Sequence, residues 1–254
     1  MIIMDSGLGG LSVARAIRAA RPGYPLIYLA DTAGFPYGKR SARDIAARAE
    51  SLLAAITETH TPNCVVLACN TLSTLCLPQL RAAFSFPIVG TVPAIKTAAA
   101  QSKTKRFTLL ATPNTAHSGY SANLISEFAE GCVVDCYGAP NLAAMAEASL
   151  LGNPPSDAAL RAELAPAFFD DARGKTDAIV LGCTHYPLMV DALRAAAPWD
   201  VQWVDSGDAI ARRALELHSA HPTAEATAYV TAEADVTRYA PIFTREGFGV
   251  TEWL

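Results

Sequence analysis

Short apolar runs alternate with longer amphipathic segments along the whole chain. A strand that is covered on both faces is apolar throughout, so each short run is typical of a buried strand. The predicted strands are Ile2–Met4, Leu26–Leu29, Cys64–Ala68, Pro87–Val89, Phe107–Ala111, Cys132–Cys136, Ala178–Leu181, Val201–Val204 and Ala228–Val230. Because helical patterns lie between these runs, the sequence predicts an α/β fold with mainly parallel strands.

The clearest helical pattern covers residues 41–60. Its apolar side chains form one stripe at helical spacing, made of Ile45, Ala49, Leu52, Leu53 and Ile56. Ser41 and Asp44 resemble a capping box, in which two side chains satisfy backbone N–H groups at the start of a helix. The pattern therefore predicts an amphipathic helix that begins after Ser41.

The order of the strand ends indicates two related halves. Asp5 and Cys69 follow one pair of predicted strands, and Thr112 and Cys183 follow another pair in the same order. We expect two similar α/β domains, formed by residues 1–92 plus 207–254 and by residues 93–206, facing each other across a central cleft as pseudo-twofold halves. Open α/β sheets bind ligands at the carboxyl ends of their strands, so both cysteines are expected at that edge.

Composition and charge exclude several classes of protein. A chain with 51% hydrophobic and 17% charged residues is expected to fold around a sizeable core. Its formal net charge of −4 argues against a nucleic-acid partner, and the one compact basic cluster, at residues 103–106, is expected to be solvated. The sequence shows no signal peptide and no apolar run of membrane-spanning length, so we expect a cytoplasmic protein with reduced cysteines.

The remaining cysteines and histidines do not favour a metal site. The chain has no Cys-x-x-Cys pair, and four cysteines in apolar surroundings are expected to be buried thiols: Cys64, Cys76, Cys132 and Cys136. His218 and His221 are spaced to share a helix face, but no third ligand is near them in the sequence. We therefore expect an exposed helix end there and no bound metal.

Two segments allow a cofactor interpretation. The glycine-rich segment 5–10 follows a strand, and it resembles a dinucleotide site in which Asp31 would bind the ribose. Ser12 at the third glycine position and a carboxylate at Asp5 argue against this, and a loop that admits a small zwitterionic substrate fits better. Lys39 is a minor candidate for a Schiff base with pyridoxal phosphate, although an ordinary turn also explains residues 36–39.

The main chemical signal is the pair Cys69 and Cys183. Each cysteine follows an apolar strand and precedes a helical pattern, a position in which the helix N-terminus stabilises a thiolate. Two such thiols at equivalent places suggest a reaction that needs one base on each side of a substrate. The neighbouring Asn70, Thr71 and Thr184 can donate hydrogen bonds to a carboxylate, and His185 can exchange a proton with Cys183.

At these residues the chain resembles the glutamate branch of the aspartate/glutamate racemases. The resemblance rests on DSGLGGL at 5–11, DTAGFPYGKRS at 31–41, ACNTLS at 68–73, ATPNTAHS at 111–118 and GCTHYPL at 182–188. It implies two α/β domains and a cofactor-independent inversion at the α-carbon of glutamate that supplies D-glutamate for peptidoglycan. It also implies that a homodimer is a possible assembly.

The resemblance further implies roles for individual residues. Cys69 would remove the α-proton of D-glutamate and Cys183 that of L-glutamate, with the opposite thiol returning a proton. Asp5 would assist Cys69, and His185 with Glu147 would assist Cys183. The ammonium and carboxylate groups of the substrate would bind to a larger set, namely Asp5, Ser6, Tyr37, Gly38, Asn70, Thr71, Thr112, Thr115, Thr184 and His185.

Three positions depart from the family pattern. Val92 stands where glutamate is frequent, Asn114 where glycine is common, and Gly34 where arginine is frequent. None of these departures affects Cys69 or Cys183, so they bear on substrate preference and association more than on the type of reaction. A racemase of another amino acid, such as aspartate, and a non-catalytic amino-acid-binding protein that retains the cleft are the alternatives.

Overall fold

The computed structural model of the protein describes residues 1–217 and 226–254. These residues form two compact units. Unit 1 consists of residues 1–91 and 207–254, and unit 2 consists of residues 92–206. His218 and His221 lie outside the described residues.

Helices and strands alternate in both units, as the sequence predicts. Unit 1 begins with β1 (Ile2–Asp5), α1 (Leu11–Ala20), β2 (Ile27–Ala30), α2 (Ala42–Thr59), β3 (Val65–Leu67), α3 (Asn70–Ala83) and β4 (Ile88–Gly90). Unit 2 contains α4 (Ile95–Gln101), β5 (Arg106–Ala111), α5 (Pro113–Ala116), α6 (Gly119–Phe128), β6 (Val133–Gly138), α7 (Leu142–Leu150), α8 (Asp157–Leu164), β7 (Asp170–Asp171), β8 (Gly174–Lys175), β9 (Ala178–Gly182), α9 (Val190–Ala196) and β10 (Gln202–Val204). Unit 1 then resumes with α10 (Gly207–Glu216), β11 (Thr227–Val230), α11 (Asp235–Arg245) and β12 (Val250–Trp253).

Six parallel strands form the sheet of unit 1, in the order β12–β11–β2–β1–β3–β4. Every residue of β1 and β3 is buried, which explains their uninterrupted apolar sequences. Ile2 and Met4 pack on one face with side chains of α2 and α3, while Ile3 is buried on the other face. Because the strands are parallel, their carboxyl ends all lie at one edge.

Four parallel strands form the main sheet of unit 2, in the order β10–β9–β5–β6. Alternate side chains of β5 and β9 enter two different hydrophobic clusters, one containing Leu110 and Ile179 and the other containing Leu109 and Val180. The sheet is therefore packed on both faces, and the predicted α/β class with mainly parallel strands is confirmed.

Each of the nine predicted strands overlaps an observed strand, and the helix predicted after Ser41 is α2. The Ser41 hydroxyl accepts a hydrogen bond from the backbone N–H of Asp44, as a capping residue should. The Asp44 carboxylate pairs with Arg40 at 2.8 Å, which replaces the return contact of a capping box. The apolar stripe of α2 is buried at Ile45, Ala49, Leu53 and Ile56.

Two predictions about surface exposure are wrong. Cys136 is exposed and Cys132 is only partly buried, whereas Cys64 and Cys76 are buried as predicted. Cys136 lies on β6 and Cys132 immediately precedes it, and β6 is an edge strand whose side chains receive less cover than those of the central strands.

The second wrong prediction concerns Arg106, which is fully buried instead of solvated. Its guanidinium donates to Asp135 at 2.8 Å and to Asp171 at 2.7 Å, so the charge is paired where water is excluded. Asp171 lies on the β7–β8 hairpin, and the ion pairs therefore attach this hairpin to the start of β5. Within residues 1–217 and 226–254, no helix has the length and apolar character needed to cross a membrane.

Candidate functional site

The carboxyl edge of the unit 1 sheet places Cys69 beside the segment that follows β1. Met4 is paired with Leu67 across β1 and β3, and the N–H of Ala68 donates to the carbonyl of Met4 at 2.8 Å. Two residues beyond this register, Ser6 lies next to Cys69, and its hydroxyl donates to the sulfur over 4.0 Å. Cys69 is buried and immediately precedes α3. The thiol therefore lies where the positive end of a helix favours negative charge.

Asp5 is a fully buried carboxylate at the same edge. Its Oδ1 accepts a hydrogen bond from the N–H of Gly7 at 2.9 Å, so the glycine segment folds around the carboxylate. Gly10 packs so closely that a Cβ there would lie 2.8 Å from the Tyr28 hydroxyl and 3.0 Å from the Cβ of Asp5. Internal packing therefore requires glycine at position 10, without reference to a nucleotide.

The acid needed for a dinucleotide site is already engaged within the protein. Asp31 is fully buried and accepts hydrogen bonds from Tyr37, Arg48 and Thr231. The Asp31 carboxylate cannot reach a ribose, which argues against a dinucleotide site. Lys39 ends the 3-10 turn Tyr37–Lys39 and is exposed, whereas a Schiff-base lysine is held in an enclosed site.

The start of α3 supplies polar groups next to Cys69. Asn70 and Thr71 are both buried. The side-chain nitrogen of Asn70 has no hydrogen-bond partner among the described residues, although burial of an unpaired amide is unfavourable. A buried donor of this kind beside a thiol is suited to binding an acceptor group of a ligand.

The carboxyl edge of the unit 2 sheet presents Cys183. Ala111 of β5 is paired with Gly182 of β9, so the next residues, Thr112 and Cys183, are neighbours at the edge. Thr112 is the N-cap of the short helix α5, and its hydroxyl lies 3.1 Å from that of Thr115. Thr112, Thr115, Cys183 and Thr184 are all buried. The sequence-predicted residues of this half are therefore gathered at one edge.

A buried row of acid–base groups leads away from Cys183. Its sulfur lies 3.8 Å from Nδ1 of His185, and Nε2 of the same ring lies 2.8 Å from the carboxylate of Glu147 on α7. His185 and Glu147 are both almost fully buried. The expected proximity of Glu147 and His185 is thus observed in the structure.

The environment of His185 favours its protonated form. Burial alone would lower the pKa of His185, but the hydrogen bonds and charges of Cys183 and Glu147 outweigh it and raise the pKa well above the usual value. A positive imidazolium between sulfur and carboxylate can balance the charge that appears when Cys183 loses its proton. In contrast, burial raises the pKa of Cys64 and of Cys76 to about 11, which makes these two thiols unsuited to acid–base chemistry near neutral pH.

Two participants in the unit 1 network were not found from the sequence. Arg48 lies on α2 and Thr231 follows β11, and both donate to Asp31. In the sequence, Arg48 looks like one of several arginines on the polar side of an amphipathic helix, so it carried no distinguishing signal. Among residues 1–217 and 226–254, no group of three His, Cys, Asp or Glu side chains is arranged to hold a metal ion.

These features define a class of protein. Each unit has a parallel sheet whose carboxyl edge presents a buried thiol next to polar and titratable side chains. Such groups are typical of an enzyme that transfers protons by general acid–base catalysis.

Comparison with known proteins identifies the family. Residues 11–214 match the model of the Asp/Glu/hydantoin racemases. The chain is 44% identical to the glutamate racemase of Agrobacterium fabrum over 218 residues, which cover 85% of this chain and 80% of that protein. The glutamate racemase of Brucella canis is likewise 44% identical, over 85% of this chain and 79% of its own.

Solved structures agree with the sequence comparison. Escherichia coli glutamate racemase, crystallised with L-glutamate and the activator UDP-MurNAc-ala, matches with a TM-score of 0.93 and 38% identity, covering 100% of this chain and 97% of that one. Thermus thermophilus glutamate racemase in complex with beta-chloro-D-alanine matches with a TM-score of 0.75 and 28% identity, over 100% and 94%. The chain belongs to the Asp/Glu/hydantoin racemase family, as the sequence motifs predict.

Proposed function

We propose that this protein is a cofactor-independent glutamate racemase that interconverts L- and D-glutamate. The single observation that carries the proposal is the buried contact of Cys183 with His185, whose other ring nitrogen contacts Glu147. It provides a thiol whose proton and charge are managed by neighbouring groups. The family membership and the 44% identity to proteins named glutamate racemase support the same substrate.

In the proposed mechanism, Cys69 and Cys183 act in turn as base and acid. Cys69 removes the α-proton of D-glutamate and Cys183 donates a proton to the resulting carbanion. In the opposite direction the two roles are exchanged. The reaction therefore requires one thiolate and one thiol at the same time.

Other residues position the substrate and the thiols. We assign Asp5 to assisting Cys69 and to binding the substrate ammonium, and His185 with Glu147 to assisting Cys183. The ammonium and carboxylate groups are assigned to hydroxyls, amides and backbone groups at the strand ends, namely Ser6, Tyr37, Gly38, Asn70, Thr71, Thr112, Thr115 and Thr184. The unpaired amide nitrogen of Asn70 supports this assignment because a substrate carboxylate would satisfy it.

The decisive experiment is incubation of the purified protein with L-glutamate in D₂O without added cofactor. We expect D-glutamate carrying deuterium at the α-carbon, detected by chiral separation and mass spectrometry. Replacing either cysteine by serine should lower the rate by about 10²-fold or more, because a general acid or base contributes about 10² to 10⁴ in rate. Normal turnover of Cys183→Ser in both directions would contradict the two-thiol mechanism.

The same experiment separates the alternatives. Exchange of the α-proton of aspartate but not of glutamate would show that the protein is a racemase of another amino acid. Binding of glutamate without α-proton exchange would indicate a non-catalytic binding protein. We further propose that the enzyme acts in the cytoplasm and supplies D-glutamate for peptidoglycan. We also propose that it forms a homodimer, and light scattering of the purified protein can test this assembly.

A further inference from the structure

The segment 31–39 carries Tyr37 and Gly38, and the carboxylate of Asp31 is one of the groups that hold it in place. Asp31 is the first residue after β2 and is fully buried. Its Oδ1 accepts from Arg48 at 2.5 Å and from Thr231 at 2.7 Å, and its Oδ2 accepts from Arg48 at 2.8 Å and from Tyr37 at 2.7 Å. Four donors saturate the two oxygens of the carboxylate, so Asp31 joins the segment to α2 and to the end of β11.

Among these donors, Arg48 is the only one that carries a positive charge. It contacts the carboxylate through two nitrogens, which is the strong bidentate geometry of an arginine–carboxylate pair. Burial would raise the pKa of Asp31, but the hydrogen bonds from Arg48, Tyr37 and Thr231 outweigh it and hold the pKa below the usual value. Asp31 therefore stays ionised although water does not reach it.

The ion pair depends on the glycine at position 34. A Cβ built on Gly34 would overlap Oδ2 of Asp31 and lie 2.8 Å from Nε of Arg48. The backbone of Gly34 is also fixed, because its N–H donates to the carbonyl of Asp31 at 2.9 Å and its carbonyl accepts from Arg40 at 2.6 Å. Gly34 and Arg48 are thus matched to each other.

The ionised Asp31 determines how the Tyr37 hydroxyl is oriented. A carboxylate can only accept, so Tyr37 must donate its proton to Asp31 and can only accept from other groups. The Tyr37 ring is buried in the same hydrophobic cluster as Cys69. The turn Tyr37–Lys39 also contacts α3, the helix that Cys69 immediately precedes. Burial is the largest cause of the raised pKa of Tyr37, and the negative charges of Asp31 and of a Cys69 thiolate add to it.

We propose that Arg48 is a positioning residue for proton transfer at Cys69, acting through Asp31 and Tyr37. This inference rests on the proposed racemase function. Because the Tyr37 hydroxyl donates its proton to the ionised Asp31, it cannot donate a hydrogen bond to Cys69. Its oxygen then accepts a hydrogen bond from the substrate ammonium, and the thiolate of Cys69 remains a strong base. The pair thereby serves the Cys69 half of the reaction as Glu147 and His185 serve the Cys183 half.

Kinetic isotope effects on kcat/KM test this proposal. With glutamate deuterated at the α-carbon, the isotope effect is large only when breaking the C–D bond limits the rate. That bond is broken at Cys69 for D-glutamate and at Cys183 for L-glutamate. For Arg48→Gln we expect kcat/KM to fall about 10- to 100-fold, as misplaced catalytic groups do. The isotope effect should rise with D-glutamate and fall toward one with L-glutamate.

Matched variants separate positioning from folding. Arg43 lies on the same helix and is exposed, so Arg43→Gln should leave both isotope effects unchanged. Gly34→Ala should reproduce the pattern of Arg48→Gln, because its methyl group displaces the ion pair. Loss of folded protein lowers the rate without altering an isotope effect. An Arg48→Gln variant with a lower rate but unchanged isotope effects, or with an unchanged rate, would overturn the proposal.

A second measurement needs no substrate and is independent of the proposed function. Labelling of Cys69 by iodoacetamide can be followed by peptide mass spectrometry. Arg48→Gln leaves the Asp31 charge uncompensated, and this negative potential disfavours the reactive thiolate of Cys69. We expect severalfold slower labelling of Cys69 but not of Cys183, and recovery in Arg48→Lys. Equal labelling of Cys69 in all variants would overturn the proposal even if the protein does not racemise glutamate.

Discussion

At the scale of single residues, the chemistry depends on buried titratable groups that contact one another in a row. His185 lies between the sulfur of Cys183 and the carboxylate of Glu147, with heavy-atom distances of 3.8 and 2.8 Å. An unpaired ionised carboxylate would be costly at this depth, so Glu147 and His185 each make the burial of the other possible. The hydrogen bond to Nε2 also fixes the ring orientation that directs Nδ1 toward Cys183.

The first prediction at this scale concerns Glu147→Gln. The amide keeps the shape of the side chain but removes the charge that raises the pKa of His185. We expect kcat/KM to fall about 10- to 100-fold. Since the Cys183 step is the one affected, the isotope effect should rise with α-deuterated L-glutamate and fall with D-glutamate. The exposed Glu127→Gln on α6 is the control, and an unchanged distribution of the isotope effects would show that Glu147 does not act through Cys183.

At the scale of elements, the sequence was sufficient for those with strong patterns. Apolar runs predicted the nine strands, and the runs are uninterrupted in β1, β3 and β9 because these strands are buried along their whole length. The edge strand β12 was missed because Val250 and Trp253 are exposed and the segment lacks a buried pattern. The hairpin β7–β8 was missed because each strand has only two residues.

The candidate site was predictable to a similar extent. Cys69 and Cys183 could be placed because strand ends in a parallel sheet share one edge. The pairing of Arg48 with Asp31 could not be predicted, because it depends on the path of the intervening segment past Gly34. The contact between Glu147 and His185 joins a helix to a distant strand end, and only the family resemblance indicated it.

The prediction at the element scale concerns the start of α2, the helix that carries Arg48. The Ser41 hydroxyl accepts from the N–H of Asp44 at 3.2 Å, and Ser41→Ala leaves this donor without its capping partner. We expect the free energy of unfolding in urea to fall by about 1 kcal/mol. Ser51→Ala, an exposed site within the same helix, should not destabilise the protein. Equal effects of the two substitutions would show that the cap does not stabilise α2.

At the scale of the whole molecule, the Asp31–Arg48 and Glu147–His185 pairs give opposite dependences of stability on pH. The pKa of Asp31 is lowered on folding, so its contribution to stability is present above the unfolded pKa and is lost as the pH falls through the folded pKa. The pKa of His185 is raised, so its contribution is complete below the unfolded pKa of about 6.5 and is lost as the pH rises through the folded value. Unit 1 is therefore expected to weaken in acid through Asp31, and unit 2 in base through His185.

The final prediction tests the acid side of this dependence with Asp31→Asn. At pH 7 the substitution removes the partner of Arg48, and we expect unfolding in urea to require about 3 kcal/mol less free energy, the lower end for breaking a buried pair since Arg48 is partly exposed. Below about pH 4, near the pKa of an unfolded aspartate, the unsubstituted protein begins to lose the same interaction. The difference between the two proteins should therefore be constant above about pH 5 and shrink on further acidification. A difference that persists undiminished as the pH falls through this range would show that the ionised form of Asp31 does not stabilise the fold.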